Sequence, residues 1–301
     1  MALSQEVLDT IAFAEKMGFT KLHLQPPAET REAMKHAPPA ENPTEVGEVI
    51  NTMIPEGDIA VRIYIPMGEG PFPVISYFHG GGFVLMSLET HDEICRQLCA
   101  KSGCVVMSVD YKLAPENPYP QGPESAVTAT KWMIKNAAEY KGIGERMAVA
   151  GDSAGGYMAL WVAQKLTAEG IKLKAQFAAY PVTDHYSSQH LSWEENKSGY
   201  TLTAEMMKWF WDNYLTDATK FTEASPLRAT SFSGLPPALI MTANYDPLRD
   251  EGKAYADKLK SAGVETIYKN YENVHGFFGT GEMGQEAMQI ASDFLKDKLS
   301  T

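Results

Sequence analysis

Ser153 sits in Gly151-Asp152-Ser153-Ala154-Gly155, directly after the apolar run Met147-Ala148-Val149-Ala150 and ahead of a helix-like segment, Tyr157 to Leu166. A serine at a strand-to-helix turn is a nucleophile candidate: the strained backbone presents its hydroxyl, and the flanking glycines let neighbouring chain pass without a Cβ clash. A hydroxyl is a weak nucleophile at its own pKa. The chemistry therefore needs a base to take its proton and donors to receive the charge that develops on an attacked carbonyl. Donors are available upstream, where Pro73-Val74-Ile75-Ser76-Tyr77-Phe78 reads as a buried strand running into His79-Gly80-Gly81-Gly82-Phe83. Three glycines in succession expose backbone N–H groups. A phosphate-binding loop would continue as G-x-x-x-x-G-K-[ST] or G-x-G-x-x-G, and neither pattern follows. The loop reads as an oxyanion loop.

A triad on this kind of sheet follows the order Ser, Asp or Glu, His. Of the seven histidines, those at 23, 36, 79 and 91 precede Ser153, while His185 and His190 fall in a polar segment. His275 stands just past a late strand pattern, Val264 to Tyr271, in the turn-like Asn273-Val274-His275-Gly276, where the order demands a base. For the acid, Pro237 to Thr242 reads as a buried strand, and Asp246 leaves its C-terminal end in Asn244-Tyr245-Asp246-Pro247. In open α/β sheets the ligand crevice lies outside the carboxyl ends of the strands, so this is the edge a triad would use. An aspartate before proline is equally suited to N-cap the helix that follows. Asp250 and Glu251, a turn further on, are weaker candidates.

The set His79-Gly80-Gly81-Gly82, Asp110-Tyr111-Lys112-Leu113-Ala114-Pro115-Glu116, Gly151-Asp152-Ser153-Ala154-Gly155, Asp246-Pro247-Leu248-Arg249-Asp250 and His275-Gly276-Phe277 resembles the hormone-sensitive-lipase-like esterases of the α/β-hydrolase fold. The resemblance spans roughly residues 60 to 280. It implies a carboxylester hydrolase acting on short- to medium-chain esters beneath a cap, with Ser153 as nucleophile, Asp246 as acid and His275 as base. It makes the amides of Gly81, Gly82 and Ala154 the oxyanion donors, and the 110–116 segment a brace for the oxyanion loop. Lys112 replaces the arginine usual there, which leaves one bracing ion pair unassigned. Phe83, Phe210 and the preceding Thr201 and Leu202 are expected to line the substrate pocket. Met86 stands where the family has glycine, at the mouth of the alcohol side or in the core beneath the loop.

The elements that must position these residues follow from the apolar pattern. The expected fold class is α/β, a mostly parallel sheet of about eight strands with helices on both faces and a helical cap. Val46 to Ile54 and Ile59 to Ile65 flank Pro55-Glu56-Gly57-Asp58 and read as an edge hairpin. Further strands are expected at 73–78, 104–109, 146–150, 174–180, 237–242 and 264–271, joined by helical crossovers. Thr90 and Glu93 fit a capping box, with Gly103 as the C-cap. Two segments fall outside the alternation: 1–45, a helix followed by Pro26-Pro27 and Pro38-Pro39, and 185–222, rich in aromatics, where Thr203 can cap a helix presenting Met206, Phe210 and Tyr214 on one face. Both are assigned to the cap, leaving 46–184 and 223–301 as the two parts of the catalytic domain.

Composition sets further bounds. A chain of 301 residues with 44% hydrophobic content buries a large core, and a net charge of −12 opposes nucleic acid and anionic membrane surfaces. No apolar run approaches the roughly 20 residues that span a bilayer, and the N-terminus lacks the basic start and apolar stretch of a signal peptide. Cys95, Cys99 and Cys104 form no C-x-x-C and have no histidine pair at ligand spacing, so they read as buried thiols in a reducing cytoplasm rather than metal ligands. A small neutral ester is the expected partner, with no metal or cofactor, and homodimerisation through an edge strand is left open. Two other readings use the same fold: an amidase or peptidase on the same triad, and a non-catalytic small-molecule receptor, which would lack the histidine.

Overall fold

The computed structural model describes residues 3–35 and 40–300; His36 and the Pro38-Pro39 pair lie outside the described residues. The strands are β1 (Glu48–Ile54), β2 (Ile59–Ile65), β3 (Phe72–Phe78), β4 (Val105–Val109), β5 (Gly142–Asp152), β6 (Ala175–Ala179), β7 (Ala238–Tyr245) and β8 (Thr266–Val274). They form one sheet in the order β1-β2-β4-β3-β5-β6-β7-β8. The expected hairpin is present, with Ile54 opposite Ile59 and the turn carrying positive φ at Gly57 and Asp58. β2 is antiparallel to both neighbours, and β3 through β8 run parallel. β5 begins at Gly142, earlier than its apolar run, where it meets Phe72 of β3.

Strand side chains alternate between two layers, as a period of two requires. Val74 and Phe78 of β3 join one core cluster with Met147 and Val149, whereas Ile75 and Tyr77 join another with Ala148 and Ala150. The first layer is covered by α4 (Gln121–Asn136) and α5 (Ala154–Ala168), with α8 (Arg249–Ser261) closing the β7 end. The second is covered by α3 (Asp92–Ser102) and α9 (Gly281–Leu299). All three cysteines are free and buried on the α3 side. Gly103 ends α3 in the left-handed conformation (φ 68), with its N–H on the Cys99 carbonyl. The capping box at its other end does not form. Thr90 turns back to Ser87, and Glu93 takes the N–H and hydroxyl of Thr44.

β3 is the switch point of the sheet, since the chain leaves it to form β4 on one side and returns to form β5 on the other. Loops leaving the carboxyl ends of β3 and β5 therefore diverge and open a crevice. Over that edge lie the remaining elements: α1 (Gln5–Lys16), a 3-10 helix at Phe19–Leu24 and α2 (Pro27–Lys35) from the N-terminal region, with α6 (Leu191–Glu195) and α7 (Ala204–Tyr214) from the chain between β6 and β7. Thr203 caps α7 through its side chain on the Met206 N–H (3.1 Å), and Met206, Phe210 and Tyr214 are all buried.

Candidate active site

Ser153 follows β5, Asp246 follows β7 and His275 follows β8, so parallel strands deliver all three to one edge. Ser153 has φ 54 and ψ −121, a conformation costly for any residue with a Cβ, and it is held there by contacts that leave no slack. A Cβ on Gly155 would run into the carbonyl of Phe78, and one on Gly151 into the carbonyl of Gly155. The Ser153 N–H donates to Ala179 at 2.9 Å, and its carbonyl accepts from Tyr157 at 3.0 Å as α5 begins.

His275 Nε2 lies 2.8 Å from Ser153 Oγ, and its Nδ1 lies 2.6 Å from Asp246 Oδ2. The carboxylate holds a proton on Nδ1 and leaves Nε2 free to accept one from the serine. Asp246 is fully buried, and its other oxygen accepts the Leu248 N–H at 2.9 Å. That second bond closes a turn ahead of α8, whose N-cap position is Leu248, so Asp246 serves as the acid and not as the N-cap. Asp250 faces elsewhere, bonding the Ser192 N–H and Arg249, and Glu251 is buried under the chain at 183–184. Tyr180, itself at φ 36, packs its ring 4.6 Å from that of His275.

Gly81 (φ 107) and Gly82 (φ 59) take left-handed backbone, and no protein acceptor is bonded to the N–H of Gly81, Gly82 or Ala154 among the described residues. The loop is braced from both sides. His79 is buried, bonds the Gly80 carbonyl through Nδ1 at 2.7 Å and stacks on Tyr111 at 4.5 Å. Burial, reinforced by neighbouring His91, lowers its pKa to about 4, so it stays neutral near pH 7. Tyr111 donates to the His79 carbonyl, and the Ala114 N–H to that of Phe83. Among the described residues the Lys112 ammonium has one hydrogen bond, to the Asp58 carbonyl. Arg31 of α2 supplies the brace instead: it donates to the carbonyls of Val84 (2.7 Å) and Ala114 (2.8 Å) and pairs with Glu116 at 2.8 Å. Motif reading offered no signal for it, because the partner is a backbone 53 residues away.

Beneath the loop, Asp152 is buried against the Tyr77 hydroxyl (2.8 Å) and His91 (3.2 Å). Its own burial opposes ionisation, but His91 and the Tyr77 hydroxyl outweigh that and hold its pKa below the usual carboxylate range.

A cavity of about 2180 Å³ opens over Ser153 and His275. Gly81, Gly82, Met86, Thr201, Leu202 and Phe210 line it, and Leu22, Met34 and Met17 extend the wall from the N-terminal region. The Phe210 ring rests on Gly82 so closely that a Cβ there would enter it. Phe83 requires correction. It is 1% exposed, stacked on Tyr214 with centroids 4.0 Å apart, and absent from the cavity wall. The turn at φ 70 directs its ring into the core under the loop. Met86 also has φ 70; it borders the cavity and packs on the core beneath. Among the described residues no helix is long and apolar enough to cross a membrane.

Residues 75–279 match a family described as having the alpha/beta hydrolase fold. The carboxylic ester hydrolase LipN of Mycobacterium tuberculosis is 40% identical over 240 residues, an alignment covering 76% of this chain and 64% of that protein. The chain therefore spans a little under two thirds of that relative's length. Among solved structures, an ester hydrolase from the Lake Arreo metagenome, complexed with a derivative of bipyridine phosphonate, superposes with a TM-score of 0.90 at 41% identity, covering 100% of both chains. A thermostable esterase from Pseudomonas putida gives a TM-score of 0.92 at 37% identity over 99% of this chain and 98% of its own. The family match over residues 75–279 and this degree of identity place the chain in the α/β-hydrolase family, within its hormone-sensitive-lipase-like branch.

Proposed function

We propose that the chain is a serine carboxylesterase that hydrolyses short- to medium-chain carboxylic esters through an acyl-enzyme. The observation that carries this is the hydrogen-bonded line from Ser153 Oγ through His275 to Asp246, set beside three unbonded amides and open to a largely apolar cavity. In the first step Ser153 Oγ bonds to the ester carbonyl carbon while its proton passes to His275 Nε2. The carbonyl electrons move onto oxygen, which the N–H groups of Gly81, Gly82 and Ala154 receive. Asp246 stabilises the imidazolium. The proton on Nε2 then passes to the departing alkoxide as the C–O bond breaks, and water repeats the sequence on the acyl-enzyme.

Residues 1–45 and 185–222 are read as the cap over this site, with 46–184 and 223–301 as the catalytic body. Met86, Thr201, Leu202 and Phe210 are read as substrate neighbours. The protein's net charge of −12 favours a neutral small ester over nucleic acid, and its free buried thiols fit a reducing compartment such as the cytoplasm.

The test is a panel of p-nitrophenyl esters from acetate to laurate with an acetanilide as amide control, run on the wild type and on Ser153→Ala. Ser153→Ala should lose hydrolysis by roughly 10⁶-fold and lose labelling by a fluorophosphonate. Labelling of another serine would sink the assignment. Faster turnover of the anilide than of the esters would favour an amidase.

A further inference from the structure

The loops that carry Asp246 and His275 are closed by side chains of the insertion between β6 and β7, not by the glycine contacts that fix Ser153. Asn196, 4% exposed at the end of α6, donates Nδ2 to the carbonyls of Asp246 (3.1 Å) and Asn244 (3.3 Å). Ser192, fully buried, donates to the Pro247 carbonyl at 2.6 Å and accepts the Asp250 N–H at 3.2 Å. The Thr201 hydroxyl donates to the His275 carbonyl at 2.8 Å. One ten-residue stretch thus grips the acid loop at one end and the base loop at the other.

That stretch is itself anchored. Glu251 of α8 accepts the Thr183 and Asp184 N–H groups at 2.7 and 3.1 Å, where the insertion leaves β6, and the Trp193 indole N–H at 3.0 Å within α6. The bond network runs from the root of the insertion, through α6, to the backbone of both catalytic side chains.

Resting on the triad reading above, we propose that residues 192–201 form a clasp in which Asn196 and Thr201 are positioning residues for Asp246 and His275. Neither touches a reacting atom. Each fixes the carbonyl, and so the backbone orientation, of the residue that does. Triad bonds of 2.6 and 2.8 Å leave little tolerance, and a displacement of about 1 Å can cost on the order of 10²-fold in rate. The segment assigned to the cap therefore sets turnover as well as covering substrate. Thr201, expected from sequence only as a pocket residue, has its hydroxyl committed to His275.

The experiment compares Thr201→Val, which keeps shape and removes the donor, Thr201→Ser, which keeps the donor, and Asn196→Leu, with Ser153→Ala as reference. kcat and KM are measured on p-nitrophenyl butyrate well below each variant's Tm. Thr201→Val and Asn196→Leu should each lower kcat about tenfold with KM within about twofold, and Thr201→Ser should recover most of the loss. A wall that only touches substrate would move KM instead, so a KM change with wild-type kcat overturns the clasp, as does wild-type kcat in both variants. If Asn196→Leu fails to fold, the Thr201 pair decides alone. Residual hydrolysis in Ser153→Ala at the wild-type rate would instead overturn the triad reading on which the clasp depends.

Discussion

The two sides of the site are held in place by different means. On the nucleophile side, Ser153 and the glycines around it are fixed chiefly by backbone lying against backbone, Gly155 on Phe78, Gly151 on Gly155, Gly81 on Leu85, with His79, Tyr111 and Arg31 bracing the loop from outside. On the acid–base side, Asp246 and His275 are fixed by side-chain hydrogen bonds from Asn196, Ser192 and Thr201. Backbone contacts admit no added atom, so substitutions there should fail abruptly. Side-chain bonds can be lost singly, so the other side should yield in graded steps.

With Ser153 kept in place, the largest effect falls on the acid. Asp246→Asn should lower kcat by roughly 10⁴, because an amide stabilises the wrong imidazole tautomer. Asp250→Asn, which touches Ser192 and Arg249 but not His275, should cost no more than about tenfold. Steady-state kinetics on one ester decides, and a worse defect in Asp250→Asn would show that the acid has been misassigned. On the opposite side, Gly82→Ala adds a Cβ that enters the Phe210 ring and strains a φ of 59. It should cost about 10²–10³ in kcat by displacing an oxyanion donor. Phe210→Ala in the same chain should return part of that loss, whereas simple additivity in the double-mutant cycle would separate Phe210 from the loop.

Met86 tests whether the loop's outer turn follows the abrupt or the graded rule. Met86→Gly suits a backbone at φ 70 better than methionine does and removes a side chain from the cavity wall. It should raise kcat/KM for esters of bulky alcohols by roughly 10–200-fold at most, leave methyl and ethyl esters nearly unchanged and keep Tm. A parallel fall in activity on all esters together with a lower Tm would make Met86 a core support instead.

The smallest effect concerns the root of the insertion. Asp184 bonds His190 at 3.1 Å and Arg228 at 2.7 Å. That bond to Asp184, against the opposing effect of burial, raises the His190 pKa above its ordinary value. A raised folded-state pKa adds stability below about pH 6.5 that is lost as pH climbs through the raised value. His190→Gln should therefore lower stability more at about pH 5.5 than at about pH 9, by no more than about 1 kcal/mol given its partly solvated edge. Thermal melts at the two pH values read this out, and equal losses at both would remove the charge from the account.

What the sequence disclosed divides by range rather than by side, since Asp246 and His275 were placed by their strand ends as readily as Ser153. The nucleophile side was legible because its determinants are local: glycine spacing, an apolar run before Ser153 and three glycines after β3. The hairpin turn, the strand sites and the left-handed stop at Gly103 are local in the same sense. Determinants that depend on distant partners were not. Glu93 looked like half of a capping box until Thr44, 49 residues away, claimed it. Arg31 makes the brace that Lys112 does not, from a helix outside every motif. Phe83 was placed in the pocket by its neighbours in sequence, while a left-handed turn sends its ring the other way. Asn196 and Ser192 carry no pattern at all, because what they recognise is main-chain carbonyl oxygen.

The burial of all three cysteines has a practical meaning. Each is at most 1% exposed, and burial pushes the Cys99 thiol up to about 12 and the Cys104 thiol up to about 11, with Cys95 higher still. A thiol that neither ionises nor meets solvent is silent to maleimides, so the native chain is a ready background for site-directed labelling. Leu24→Cys, at a position 68% exposed at the end of the 3-10 helix, would carry a single fluorophore. Its signal would test whether the N-terminal wall of the cavity, which Leu22 and Gln25 line, shifts when an ester is added.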